Sequence, residues 1–237
     1  GEEFGLVGVV LLLVLFLWQW WSGGPRREPR LWLVTGLLLL NRLDAGLLVL
    51  PALAALAWQR PLTDTIRSAA VGLSPFVAWE IFSVVYYGFP FPNTAYAKLG
   101  TGIGSGELAS QGLLYLLDPA TTDPVTLLVV LTGLAAAAAY RQQGTASIAL
   151  GIGLYLVYIV RIGGDFMTGR FLVAPLLCAT AVLARLDWTR VRGVATPFVA
   201  AIVFLGTFAT IRPPITSTRD TFARNDAEGM GIGQIAD

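Results

Sequence analysis

The sequence contains no histidine and a single cysteine, and only 13% of its residues are charged. Without histidine it lacks the commonest metal ligand and the commonest general base, so acid–base chemistry must use carboxylates, lysine or tyrosine. Cys178 has no second cysteine with which to form a disulfide inside the chain. The net charge of +1 gives no basic surplus, and we therefore expect no nucleic-acid partner.

The sequence is rich in apolar residues, which make up 55% of the chain and occur in blocks. Soluble domains contain about 25% charged residues. A bilayer core of roughly 30 Å needs about 20 apolar residues in a helix, or somewhat fewer when polar ends reach the headgroups. We predict spans near 5–21, 31–41, 44–58, 68–87, 124–140, 145–160, 170–186 and 194–211. The predicted fold class is therefore all-α, a polytopic transmembrane helical bundle of about seven or eight spans.

The block 31–58 is either one long helix broken at Asn41–Asp44 or a tight pair of short spans. Two spans place nine arginines and only three acidic residues on one face of the membrane. The other face then holds seven basic and twelve acidic residues. Lys and Arg concentrate in cytoplasmic loops, so we favour two spans, with the arginine-rich face in the cytoplasm and both chain ends outside.

This orientation opens the long loop 86–124 on the extracytoplasmic side. Its glycine-rich stretch Gly100–Gly106 follows no strand and does not fit a nucleotide-binding motif, so we interpret it as a hinge or a mobile linker. Glu107–Asp118 is predicted to form an amphipathic helix along the membrane interface. We thus divide the chain into a transmembrane core, 1–211, and the start of an extracytoplasmic C-terminal region, 212–237.

Ionisable groups at membrane depth are costly, and each is a functional hypothesis. The stretch from Arg161 to Arg170 packs two arginines and Asp165 between two apolar blocks. Gly163 and Gly164 permit a positive φ that can turn Asp165 toward a neighbour, while Arg170 can bind a phosphate through two parallel hydrogen bonds. In the alternative, Asp165 forms an ion pair with one of the two arginines, and this pair only stabilises the turn.

A second polar stretch, with Asn93, Tyr96 and Lys98, follows a predicted span directly. Lys98 is the only lysine in the chain and lies on the face rich in carboxylates. It either binds a phosphate as a point charge or reaches the lipid headgroups with its long side chain.

Two further places interrupt apolar stretches. Arg42 and Asp44 lie within a run of nearly thirty residues, where they either face a cavity or form a tight hairpin between helices. Glu80 lies among aromatic residues, where we expect it either to hydrogen-bond to a neighbouring helix or to be protonated because it is desolvated.

Three of these stretches, NRLDAGLLVLP, YYGFPFPNTAYAKL and GGDFMTGRFLVAP, resemble a single family, the actinobacterial terminal β-(1→2)-arabinofuranosyltransferases of the GT-C class. The tail ITSTRDTFARNDAEGMGIGQ also looks like the entry to that family's extracytoplasmic C-terminal domain. The resemblance runs from about Leu31 onward. It implies a GT-C-like bundle in the plasma membrane, with its active site on the extracytoplasmic side.

The resemblance further implies transfer of arabinofuranose from a decaprenyl-phosphate carrier to the arabinan of arabinogalactan or lipoarabinomannan. On that basis Lys98, Arg161 and Arg170 are candidates for the carrier phosphate. The candidate substrate contacts are Asn93, Tyr96, Arg42, Asp44 and Glu80. GT-C enzymes carry their catalytic carboxylate in a first extracytoplasmic loop, which we do not find. We therefore expect the main catalytic Asp upstream of Gly1, in a chain that is a fragment, and keep Asp165 as the candidate within it.

Transfer from a lipid phosphate needs a carboxylate to deprotonate the acceptor and cations to stabilise the departing phosphate. A divalent cation such as Mg²⁺ or Mn²⁺ is compatible with carboxylate ligands but is not signalled by any motif, and we assign no metal ligands. The alternatives are a transporter or flippase for a lipid-linked or anionic substrate and a non-catalytic membrane scaffold. No inverted repeat of the kind that transporters often show is visible in the sequence.

Overall fold

A computed structural model describes residues 2–23, 27–90, 104–140, 144–165, 169–188 and 192–208, and within these ranges the chain is helical without strands. The α-helices of the first part are α1 (Glu2–Ser22), α2 (Arg27–Asn41), α3 (Gly46–Trp58), α4 (Leu62–Gly72) and α5 (Ser74–Tyr87). Those of the second part are α6 (Ser105–Leu117), α7 (Pro119–Thr122), α8 (Pro124–Tyr140), α9 (Thr145–Ile162), α10 (Val173–Ala184) and α11 (Arg192–Phe208). Short 3₁₀ turns cover Leu43–Ala45 and Arg170–Leu172.

Every predicted span overlaps a helix, which confirms an all-α protein of membrane character. Among the described residues, two helical stretches are long and apolar enough to cross a bilayer, Gly5–Ser22 and Thr145–Ile162. The number rises to four if two bent helix pairs each count as one span, α4 with α5 and Ser105–Thr122 with α8. The prediction of seven or eight crossings remains a prediction.

The structure changes the bounds of the span predicted at 68–87. The helix begins earlier, at Leu62, and breaks at Leu73, where α4 and α5 meet at a bend of 57°. The cause lies in the sequence Ser74-Pro75: proline has no N–H and disfavours helical geometry in the residue before it. The Ser74 hydroxyl donates a hydrogen bond of 2.8 Å to the Val71 carbonyl at the break.

The predicted amphipathic helix is α6, which begins at Ser105 and ends at Leu117. It continues through the single turn α7, and the chain then bends by 114° at the start of α8. The position of α6 along the membrane interface remains a prediction.

The chain divides into two compact units. Unit 1 comprises Gly1–Ile103 and Ala137–Tyr158, and unit 2 comprises Gly104–Ala136 and Ile159–Asp237. Helix α9 therefore contributes residues to both. Within unit 1, α9 packs so closely on α3 that a side chain at Gly151 would collide with the Leu48 carbonyl.

A contact between Arg60 and Glu28 in unit 1 shows how the block 31–58 is folded. The Arg60 Nε lies 4.0 Å from the Glu28 Oε2. A continuous helix rises 1.5 Å per residue, so it would separate these residues by roughly 48 Å. The chain must therefore fold back between α2 and α3. This confirms the helix pair over the single broken helix, although whether each member crosses the bilayer is a separate question.

The two ends of unit 1 carry different residues. At one end Arg27 lies over the Trp20 ring, and the Trp20 Nε1 donates to the Gly144 carbonyl. At the other end Arg42 and Asp44 meet α9 near its Tyr155. The helix α2, about 22 Å long at 1.5 Å per residue, joins the two ends.

Helices within unit 2 approach each other closely at small residues. A side chain at Gly112 of α6 would meet the backbone of Val160 at 2.6 Å, and one at Gly133 of α8 would meet Ala179 of α10 at 2.9 Å. Close approach at small residues is a common way for membrane helices to pack.

Candidate functional site

The break between α2 and α3 is built around an ion pair. Arg42 has an extended backbone (φ −149°, ψ 115°), and the 3₁₀ turn that follows brings Asp44 back toward it. The Arg42 Nε donates to the Asp44 Oδ1 at 3.0 Å, and its Nη2 donates to Oδ2 at 2.5 Å. This bidentate geometry is the strongest arrangement of an arginine and a carboxylate.

Tyr155 of α9 completes this group, which we name the Arg42 cluster (Arg42, Asp44 and Tyr155). The Tyr155 hydroxyl donates to the Asp44 Oδ2 at 2.8 Å, and the Arg42 Nη2 lies 3.4 Å from the same hydroxyl. Tyr155 is 1% exposed. Asp44 thus accepts hydrogen bonds from two side chains, one of them on a helix more than a hundred residues away. The sequence interpretation missed Tyr155, whose only signal is a hydroxyl within an apolar span.

A second polar group lies in unit 2, where α9 ends. Gly163 and Gly164 both have positive φ values, 80° and 79°. The Gly163 N–H donates to the Val160 carbonyl and the Gly164 N–H donates to the Ile159 carbonyl, which is the Schellman pattern of a helix C-terminus. A side chain at Gly164 would meet Tyr115 at 2.6 Å, so only glycine fits there. Both glycines thus adopt the positive φ that the sequence permits at this pair.

The turn brings Asp165 to Arg170. The Arg170 Nη1 lies 3.5 Å from the Asp165 Oδ2, and the two side chains are 29% and 7% exposed. The Phe171 N–H donates to the Tyr115 hydroxyl at 3.1 Å, which ties the start of the 3₁₀ turn to α6. We name this group the Asp165 turn (Gly163–Asp165, Arg170, Phe171 and Tyr115). Tyr115 is a second residue that the sequence interpretation did not identify.

The sequence left Arg161 and Arg170 as candidate partners of Asp165, and in the structure Asp165 pairs with Arg170. Arg161 is exposed in the last turn of α9, where its charge complements the helix dipole. Among the described residues it forms no ion pair. Arg161 and Asp165 therefore share the turn without contacting each other.

The remaining predicted residues are not brought into either group. Glu80 is half-buried in α5 and has no hydrogen-bond partner in the described part of the chain. Asn93, Tyr96 and Lys98 lie outside the described residues. In the same described ranges, no three Cys, Asp or Glu side chains gather in a way that would hold a metal ion.

Comparison with known proteins supports the predicted resemblance. The chain is 32% identical, across 76% of its own length, to the terminal β-(1→2)-arabinofuranosyltransferase of Mycobacterium tuberculosis. It spans about a third of the length of this curated relative, 34%. No family model matches the sequence, and no solved structure matches it. The resemblance inferred from the three motifs is confirmed.

Proposed function

Because the chain is homologous to a terminal β-(1→2)-arabinofuranosyltransferase, we propose that it forms part of a membrane glycosyltransferase. The enzyme takes arabinofuranose from decaprenyl-phosphate-arabinose and adds it to cell-wall arabinan on the outer side of the plasma membrane. The identity across 76% of the chain is the observation that carries this proposal. The GT-C class and the lipid-phosphate donor rest on the motif resemblance.

Arg170 is the residue that we assign to the carrier phosphate. Its Nη1 lies 3.5 Å from the Asp165 Oδ2, and 29% of its side chain is exposed. Asp165, which is almost fully buried beside it, fixes the direction of the guanidinium. A phosphate offers more acceptor oxygens than a carboxylate and can form two parallel hydrogen bonds with a guanidinium. Arg161 and Lys98 are the further cations that we propose for the same phosphate.

The reaction requires that the acceptor hydroxyl oxygen attack the anomeric carbon. The carbon–oxygen bond to the carrier phosphate breaks, and the phosphate leaves with the bonding electrons. A carboxylate takes the hydroxyl proton. Asp165 is our candidate for this base within the chain, and a carboxylate in the part corresponding to the uncovered two thirds of the relative is the main candidate.

The Arg42 cluster has a different role in the proposal. Arg42 and Asp44 keep 21% and 12% of their side chains exposed, so one edge of the pair can contact a sugar hydroxyl. We propose that these two residues contact substrate together with Asn93, Tyr96 and Glu80. Tyr155 then acts as a positioning residue, since its buried hydroxyl donates to Asp44 and lies 3.4 Å from the Arg42 Nη2.

The test is transfer of arabinose by the purified full-length protein from its lipid phosphate to a short arabinan acceptor. Removing one cation that stabilises a departing anion typically costs about 100-fold or more in rate, and we expect this loss for Arg170→Met. Arg67→Met removes an equally charged, exposed side chain from α4 and serves as the matched control. Equal rates for the Arg170 variant and the wild type would remove the phosphate assignment.

Transport of a lipid-linked substrate is the second candidate, favoured by the two bent helix pairs. Broken helices in transporters line binding sites near the middle of the membrane. Proteoliposomes that move the lipid-phosphate sugar without forming a glycosidic bond would support transport, whereas a covalent arabinan product would support the transferase.

A further inference from the structure

The end of unit 1 that holds the Arg42 cluster also contains an aromatic residue without an assigned role, Tyr158. It follows Tyr155 by three residues in α9, and residues three apart are neighbours on one side of a helix. The centroids of the two rings are 5.9 Å apart, and the rings are tilted by 46°. Tyr155 is buried, whereas Tyr158 is only half-buried. The inner tyrosine therefore supports a ring that a ligand can reach.

Tyr155 joins this ring to the ion pair of Arg42 and Asp44. Its hydroxyl donates to the Asp44 Oδ2 at 2.8 Å, and its ring contacts the ring of Tyr158. Tyr158 also interacts electrostatically with Arg42. The Arg42 and Asp44 side chains keep 21% and 12% of their surface exposed. An aromatic ring, a cation and a carboxylate, each partly accessible, are thus gathered around one buried tyrosine.

The charge of this group favours an uncharged ligand. The bidentate contact with Asp44 balances the charge of Arg42, and tyrosine side chains are neutral near pH 7. The Asp165 turn differs, because Arg161 adds a second positive charge to the ion pair of that turn. A group without net charge attracts an anion less than a cationic group does. The lipid phosphate therefore suits the Asp165 turn, and a neutral polar molecule suits the Arg42 cluster.

A sugar is a neutral polar molecule that matches these side chains. A hydroxyl group both donates and accepts, so neighbouring sugar hydroxyls can accept from an arginine N–H and donate to a carboxylate oxygen. A carboxylate has about four lone-pair sites, and Asp44 accepts three hydrogen bonds within the described residues. The C–H groups on the face of a sugar are weakly positive and stack on the negative face of an aromatic ring.

We propose that Tyr158 and the ion pair of Arg42 and Asp44 bind a sugar of the uncharged acceptor, the arabinan, and not the lipid-phosphate donor. The ring of Tyr158 stacks on the sugar and the ion pair contacts its hydroxyls, which makes Tyr158 a specificity-determining residue. In the orientation that the arginines favour, the turn between α2 and α3 lies on the extracytoplasmic side, where the acceptor would be. The proposal rests on the proposed transferase function and names the substrate that this site holds.

Titration calorimetry of the purified full-length protein with a short arabinan oligosaccharide, without donor, tests the site apart from catalysis. Tyr158→Leu removes the ring and keeps an apolar side chain. We expect its affinity for the oligosaccharide to fall about tenfold, and Tyr158→Phe, which keeps the ring, to bind like the wild type. Tyr140→Leu is the matched control, because Tyr140 is a 48% exposed tyrosine in α8. Equal affinities of Tyr158→Leu and the wild type would overturn the proposal, as would absence of binding to the wild type.

Transfer kinetics then separate the acceptor from the donor. In Tyr158→Leu we expect KM for the acceptor to rise about tenfold and KM for the lipid-phosphate donor to stay unchanged. A rise in the donor KM alone would place the donor sugar here and refute the proposal. A wild-type protein that binds the oligosaccharide at this site but forms no product would contradict the transferase and support the sugar site. The thermal unfolding midpoint reports folding, and Tyr158→Met serves if Tyr158→Leu is unstable.

Discussion

Two ion pairs interrupt the apolar helices of this chain, and they are built differently. In the Arg42 cluster both oxygens of Asp44 accept from Arg42, and Tyr155 of a distant helix adds a third donor. In the Asp165 turn the Arg170 and Asp165 charged atoms are 3.5 Å apart, and the arginine is the more exposed of the two partners. The first pair has bidentate geometry with a third donor, while the second is joined at a longer distance.

An arginine and an aspartate can contribute to a fold to different extents, depending on their geometry. A carboxylate that is held by several donors fixes the backbone on which it lies, here the fold-back between α2 and α3. A longer, monodentate contact between an arginine and a carboxylate is weaker than a bidentate one. We therefore expect the Arg42 cluster to contribute more to stability than the ion pair of Asp165 and Arg170.

The largest expected effect is the loss of Asp44. Asp44→Ala leaves Arg42 without its carboxylate in a partly buried place, and we expect about 3 kcal/mol of lost unfolding free energy. Asp165→Ala should cost only about 1 kcal/mol, because its arginine is more accessible to solvent. Chemical unfolding in detergent micelles measures both. Similar losses for the two variants would show that the two ion pairs stabilise the protein equally.

A smaller effect separates two glycines of unit 2 that share a conformation. Gly164 (φ 79°) faces Tyr115 at 2.6 Å, whereas Gly169 (φ 77°) has nothing within 4 Å of the position of a Cβ atom. Alanine at either site should cost about 1 kcal/mol for the backbone strain. Gly164→Ala adds a steric clash, so we expect about 2 kcal/mol in total there. An equal shift in unfolding midpoint would mean that the contact with Tyr115 is not rigid.

The helices could be predicted from the sequence, because apolar blocks of this length have few alternatives to helical structure. Arg42, Asp44 and Asp165 could also be selected from the sequence, since charged residues within apolar runs are easy to recognise. The fold-back between α2 and α3 was favoured by the arrangement of arginines and is required by the contact between Glu28 and Arg60.

The partners of these residues could not be predicted in the same way. Tyr155 is separated from Asp44 by more than a hundred residues, and a tyrosine in a span resembles any other aromatic residue. The choice of Arg170 over Arg161 depends on the backbone path after Gly164, which the two glycines permit but do not dictate. The break at Leu73 was missed because Ser74-Pro75 lies inside a stretch that is otherwise apolar.

The hydroxyl of Tyr155 offers a finer test of the Arg42 cluster. Tyr155→Phe removes one hydrogen bond to a charged group, and we expect a loss of about 1.5 kcal/mol in unfolding free energy. Tyr86→Phe is the matched control, because Tyr86 is 71% exposed and its hydroxyl forms no hydrogen bond within the described residues. If both variants unfold alike, the bond from Tyr155 to Asp44 contributes nothing to stability.

The smallest effect on stability should accompany a clear effect on transfer. Tyr115→Phe removes the neutral hydrogen bond to the Phe171 N–H and should cost about 1 kcal/mol. Because this bond fixes the backbone next to Arg170, its loss allows the guanidinium to move, and misplacement of about 1 Å can reduce rates on the order of 100-fold. We expect KM for the lipid-phosphate donor to rise in Tyr115→Phe and to change little in Tyr155→Phe. Tyr155→Phe would then lose more unfolding free energy, while Tyr115→Phe would have the larger rise in KM. If both tyrosines had only a structural role, the variant with the greater loss of stability should also show the greater rise in KM.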